Sequence, residues 1–125
     1  FQKTEQQVTI LYDLKGYDEI SLTGPAKVLS KNSERILTPA DFGVQPLQAS
    51  DISGGSSVAS SASIFMNVIE NKGTQAQQNV VCANAGMAIA TALNLRPIEG
   101  FEKAKESLLS GKALRALTTL QKLSI

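Results

Sequence analysis

From Thr74 through Ala92 the chain carries a helix signal that is apolar on nearly every side: Val80, Val81, Ala83, Ala85, Met87, Ala88, Ile89 and Ala92 leave little polar surface for water. Thr74 with Gln77 forms the capping-box pattern that starts it. A helix of this kind is predicted to be the central buried helix, and the rest of the chain must supply its cover. Three more helices are predicted around it. Val58, Ala62, Phe65, Met66 and Ile69 recur at helical spacing from Ser57 to Asn71, with Gly73 placed just past the end. Pro97 opens a helix through Phe101, Ala104, Leu108 and Leu109 that Gly111 ends, and Ala113, Leu114, Leu117 and Leu120 stripe the last.

The first third has a different period. Val8 to Tyr12 is β-branched and aromatic and predicts a mostly buried strand. Glu19 to Leu22 reads as a short strand that Gly24-Pro25 breaks. Ala26 to Ser30 and Glu34 to Leu37, joined across Lys31-Asn32-Ser33, predict a hairpin from Ala26 to Leu37 that displays the acidic loop before it. Thr38-Pro39-Ala40-Asp41 starts a helix that Gly43 stops after one turn, and Gln45 to Gly55 reads as a connecting loop. Strands first and helices after imply an α/β chain: strands and hairpin in the N-terminal third, a sheet edge covered by a layer of about four helices, in one domain spanning residues 1–125. Phe1 is not an initiator methionine and a strand pattern follows at once, so a piece of a longer protein is expected.

Possible chemistry concentrates in Gly16-Tyr17-Asp18-Glu19-Ile20-Ser21-Leu22-Thr23-Gly24-Pro25. Neighbouring side chains of an extended segment point to opposite faces, so Asp18 and Glu19 can share an ion only if the backbone turns, which Gly16 permits. Such a pair is either a solvated turn, the commonest fate of carboxylates, or a hard-oxygen site for Mg²⁺ whose other ligands are water and phosphate. The chain has no histidine, which removes the commonest general base and transition-metal ligand and argues against zinc chemistry. Twelve basic against eleven acidic residues give no polyanion-binding signature. Lys103, Lys105, Lys112, Arg115 and Lys122 alternate with Glu102 and Glu106 as an ordinary solvated face does. Ser53-Gly54-Gly55-Ser56 could offer amides to a phosphate but lacks the full glycine pattern, and reads as a flexible helix entry. Cys82 has neither a partner for a disulfide nor a histidine to activate it, and reads as a small core residue suited to a reducing cytoplasm. No signal peptide or bilayer-length apolar run is present, so a soluble chain is expected.

Taken as a string, Gly16 to Thr23 resembles the Gly-x-Asp-Glu-Ile-Ser-Leu-Thr segment of anthranilate phosphoribosyltransferases. Four further motifs follow in the same order. Leu37-Thr38-Pro39-Ala40-Asp41-Phe42-Gly43 is similar to the family's Thr-Pro-Glu-Asp-Phe-Gly, and Gly54-Gly55 to its later glycine pair. Asn84-Ala85-Gly86 resembles its Asn-Ala-Ala, and Ser110-Gly111-Lys112-Ala113 its closing Ser-Gly-Lys-Ala. The chain departs at Tyr12-Asp13, where many members carry His-Gly, and at Lys15, where aspartate is common.

The resemblance implies the C-terminal portion of an enzyme of tryptophan biosynthesis with the nucleoside phosphorylase-like fold, cytoplasmic, transferring phosphoribosyl from phosphoribosyl pyrophosphate to anthranilate. It implies that Asp18 and Glu19 bind Mg²⁺; Ser21 and Thr23, hydroxyl residues beside them, are expected to support the acidic loop by hydrogen bonding. The family's phosphate loop, anthranilate-contacting arginine and helical dimerisation domain would lie upstream of Phe1. The chain alone is therefore expected to be inactive, and the family's homodimer is not inherited. An unpaired sheet edge predicts a tendency to associate. Two other classes share the fold signals: a non-enzymatic relative that binds nucleic acid, and an interaction module for which the acidic pair is only a turn. Near-neutral charge and an acidic pair that repels phosphates without a metal argue against the first.

Overall fold

The computed structural model describes residues 3–124. Three antiparallel strands form a meander in the order β1 (Thr9–Asp13), β2 (Ala26–Ser30), β3 (Ser33–Leu37). Leu11 faces Val28 and Asp13 faces Ala26 across the first pair; Ala26 faces Leu37 across the second. A single 3-10 turn, Pro39–Phe42, follows, and Gly43 ends it in the left-handed region at φ 71°. Four helices complete the chain: α1 (Val58–Ile69), α2 (Gln75–Leu93), α3 (Pro97–Leu109) and α4 (Lys112–Leu123).

The core lies between one face of the sheet and the α2–α3 pair. Val28, Ala26 and Leu37 of the sheet, Ile20 and Leu22 of the β1–β2 connection, and Phe42 meet Ala83 and Met87 of α2 and Phe101 of α3 in one buried cluster. Phe42 and Phe101 pack as a tilted ring pair with centroids 6.1 Å apart. The helix pair touches backbone to backbone. A Cβ on Gly86 would sit 2.6 Å from the Phe101 nitrogen, and one on Gly100 would press into the Gly86 carbonyl oxygen. Glycine is required at this crossing because no side chain fits between the helices.

The cap of α2 falls where the sequence puts it. The Thr74 hydroxyl accepts from the Gln77 amide at 3.2 Å while the Gln77 side chain accepts from the Thr74 amide at 3.0 Å. Ser57 and Ser60 exchange the equivalent bonds at the start of α1. Gly111, at φ 76°, separates α3 from α4. Gly55 presses so closely on the first turn of α1 that a Cβ there would strike Ser60 and Ser61, so the glycine pair has a packing role at this helix entry.

Several expectations need correction. β1 is not mostly buried: Ile10 is 54% and Tyr12 43% exposed, because the strand alternates and only its inner face meets the helices. Glu19 to Leu22 is not a strand; its backbone groups bond to side chains and loops instead. The acidic loop is the β1–β2 connection rather than an appendage of the β2–β3 hairpin. Gln45 to Gly55 contains one 3-10 turn, Ala49–Ile52. The left-handed residue after α1 is Asn71, at φ 63°, not Gly73. The helices cover a face of the sheet rather than its edge. Finally, α2 buries one face only. Cys82, Ala83, Gly86, Met87 and Ala90 are inside, while Val81 is 46% and Leu93 58% exposed. Apolar periodicity states what a helix can bury, not what is there to cover it. Beside this open side, α1 and α2 flank an apolar groove of about 390 Å³ that includes Phe65, Val81 and Ile89.

Candidate functional site

The site is built on the β1–β2 connection. Gly16 adopts φ 97°, a conformation an L side chain rarely takes, and turns the chain directly after β1. Asp18 and Glu19 follow, both exposed. They line one open basin of about 640 Å³ with Tyr17 and Ser21 of the same loop and Val80 and Asn84 of α2. Among the described residues neither carboxylate takes part in a hydrogen bond or an ion pair, so their oxygens are uncommitted.

The loop beneath them is held by two side chains. Asp13, the last residue of β1, is 2% exposed. Its Oδ1 accepts from the Lys15 amide at 2.7 Å; its Oδ2 accepts from the Ser21 amide at 3.1 Å and the Ser21 hydroxyl at 2.6 Å. The Ser21 oxygen in turn accepts from the Thr23 amide at 3.0 Å and lies 2.8 Å from the Thr23 hydroxyl. Asn84 works from the opposite side: its Oδ1 accepts from the Ile20 amide at 3.0 Å, and its Nδ2 donates to the Ile20 carbonyl at 2.8 Å and the Val80 carbonyl at 2.9 Å. These bonds replace the ladder a strand would have provided. They also stabilise Leu22 at φ 60°, a left-handed conformation that costs a residue with a Cβ about 1 kcal/mol.

Of the residues singled out in the sequence, Asp18, Glu19, Ser21 and Asn84 are brought to one place, with Thr23 buried beneath. The Ser53–Ser56 segment is not among the residues lining the basin; Ser53 and Gly54 border the neighbouring apolar groove. Cys82 is buried, and burial pushes its thiol above the usual range, as suits a core residue rather than a nucleophile. Asp13 is the residue that sequence reasoning missed. The available signal was a strand-terminal aspartate followed eight positions later by Ser-x-Thr, a spacing that lets hydroxyls and amides fold back on a carboxylate.

The donor set suits a hard cation. No group of three or more histidine, cysteine or acidic side chains converges among the described residues, so a closed, all-protein metal cage is not what the loop offers. Two uncommitted carboxylates beside an open basin match Mg²⁺, which keeps water and takes phosphate oxygens as further ligands.

The fold and this loop define a member of the glycosyl transferase family, a/b domain, to which the chain belongs: the family model matches residues 1–114. Within that family it is 60% identical over 124 residues to the anthranilate phosphoribosyltransferase of Christiangramia forsetii, a match covering 99% of this chain and 38% of the relative. The match is to the C-terminal part of such relatives, so the chain spans well under half of their length. Among solved structures, the anthranilate phosphoribosyltransferase of Thermus thermophilus superposes with a TM-score of 0.80 at 23% identity, over 89% of this chain and 33% of that one. The Saccharomyces cerevisiae enzyme in complex with PRPP and Mg gives 0.75 at 24% identity, over 88% and 32%. These neighbours have the nucleoside phosphorylase-like fold.

Proposed function

We propose that residues 1–125 are the C-terminal part of the α/β domain of an anthranilate phosphoribosyltransferase, and that they furnish the Mg²⁺-binding carboxylates of an active site completed elsewhere in a longer protein. The observation that carries this reading is the placement of Asp18 and Glu19: exposed, uncommitted and on one basin, over a loop whose own polar groups are satisfied from below. The solved relative in complex with PRPP and Mg supports the choice of cation. When bound, Mg²⁺ supplies charge neutralisation for the pyrophosphate leaving group of phosphoribosyl pyrophosphate. Asp18 and Glu19 hold the cation, while Asp13 and Asn84 keep the turn in place. Anthranilate accepts the phosphoribosyl group through its amine, a step of tryptophan biosynthesis, which belongs in the cytoplasm. Among the described residues no helix is long and apolar enough to cross a membrane.

The test is the loss of anthranilate fluorescence with phosphoribosyl pyrophosphate and Mg²⁺, in the full-length protein and in the same protein carrying Asp18→Asn and Glu19→Gln. Turnover is expected in the first and a loss of about a hundredfold or more in the second. Equal turnover in both would remove the metal assignment. The 125-residue chain by itself is expected to show none.

A further inference from the structure

Asp13, the last residue of β1, grips the acidic turn more extensively than any other residue of the loop. Its side chain takes three donors, from Lys15 and Ser21. Its backbone adds two more bonds: the Asp13 amide donates to the Tyr17 carbonyl at 3.1 Å, and its carbonyl accepts from the Gly16 amide at 3.2 Å. Asp18 and Glu19 are thus strung between two anchored points. Tyr17 is tied to the Asp13 amide; Ile20 and Ser21 are tied to Asn84 and to the Asp13 carboxylate.

The protons in this knot have one arrangement. Ser21 has a single hydroxyl hydrogen and the nearby carboxylate can only accept, so that hydrogen goes to Asp13. The Thr23 hydroxyl must then be the donor in its contact with Ser21, alongside the Thr23 amide. Every donor from Thr23 and Ser21 therefore runs toward Asp13. Charge-assisted bonds of this kind are short and directional, and the whole set is buried, where partner groups left unmatched are costly.

We infer that Asp13 is a positioning residue for the metal-binding turn, its carboxylate acting through the Lys15 amide and Ser21 to fix the spacing of Asp18 and Glu19. This inference rests on the metal reading proposed above. Asparagine cannot replace it: both carboxylate oxygens accept N–H donors, so either orientation of the amide sets an NH₂ group against one of them.

The experiment is Mn²⁺ binding, followed by the loss of its free-ion electron paramagnetic resonance signal, by the full-length protein in the presence of phosphoribosyl pyrophosphate. Asp13→Asn, Ser21→Ala and the Asp18→Asn, Glu19→Gln double variant are compared with the unsubstituted protein. Partners that orient metal ligands typically change affinity by 10–100-fold, so Asp13→Asn should weaken Mn²⁺ binding about tenfold and raise the Mg²⁺ midpoint of turnover in step, with KM for anthranilate within about twofold. Ser21→Ala, which keeps the carboxylate and removes one of its three donors, should weaken binding in the same direction by about threefold, below the 10–100-fold range for losing the orienting group itself. If Asp13→Asn does not fold, Ser21→Ala decides. Asp13 and Ser21 variants that fold and bind Mn²⁺ as tightly as the unsubstituted protein, even at a lower melting temperature, would reduce Asp13 to a structural role and overturn the inference. Unchanged affinity in the double variant as well would instead bring down the metal assignment, and the inference with it.

Discussion

The acidic loop and the α2–α3 crossing are both tightly packed, but they are held by opposite means. At the crossing, Gly86 and Gly100 bring two backbones into direct contact, and the stabilisation is close-packed van der Waals surface with the buried Phe42–Phe101 pair alongside. In the loop from Asp13 to Thr23, the constraint is a set of directional bonds onto one carboxylate and one amide. The crossing tolerates no added volume; the loop tolerates no lost or reversed partner. A scaffold needs the first property, because any atom inserted must move a whole helix. The role proposed for the turn needs the second, because hydrogen bonds fix angles as well as distances while leaving Asp18 and Glu19 facing the basin above them.

The largest effect should come from added volume at the crossing. Gly86→Val inserts a branched side chain where even a Cβ meets the Phe101 backbone, and should destabilise by about 3 kcal/mol or more. Urea denaturation measures it; a midpoint close to that of the unsubstituted protein would mean that the helices do not cross so closely. Next comes the amide clamp. Asn84→Ala strands the Ile20 amide and carbonyl in a half-buried site and should cost about 2 kcal/mol by the same measurement. A cost near zero would show the loop to be held by Asp13 alone. The smallest stability effect belongs to the exposed acids: Asp18→Asn with Glu19→Gln should shift stability by less than about 0.5 kcal/mol, because neither side chain has a partner to lose among the described residues. A near-silent stability change beside a large loss of turnover would sharpen the contrast between scaffold and turn. A large destabilisation would erase it.

Much of the fold was legible. The cap at Thr74, the stop at Gly43, the break at Gly111 and the hairpin from Ala26 to Leu37 are local devices, most of them decided within about four residues by backbone donors and acceptors. The acidic pair was legible too, as two adjacent carboxylates after a turn-permitting glycine. Less visible was the state of each acid. Asp13, Asp18 and Glu19 look alike in the string, yet the first is buried and saturated with donors while the others face a basin. The strand expected over Glu19 to Leu22 failed for the same reason. Its alternation is real, but Asn84, 64 positions away, claims the Ile20 backbone.

The sequence by itself determined the element order, most helix ends and the chemistry available at the turn, because these depend on residue type and short-range hydrogen bonding. The tertiary structure decided which face of α2 is covered, which glycines are needed for contact rather than for conformation, and which aspartate holds the loop rather than faces the basin. Those outcomes depend on what lies opposite each residue in space. Burial and partner choice are properties of a pair, and for Gly86 with Gly100, or Asn84 with Ile20, the second member is set only when the chain closes on itself.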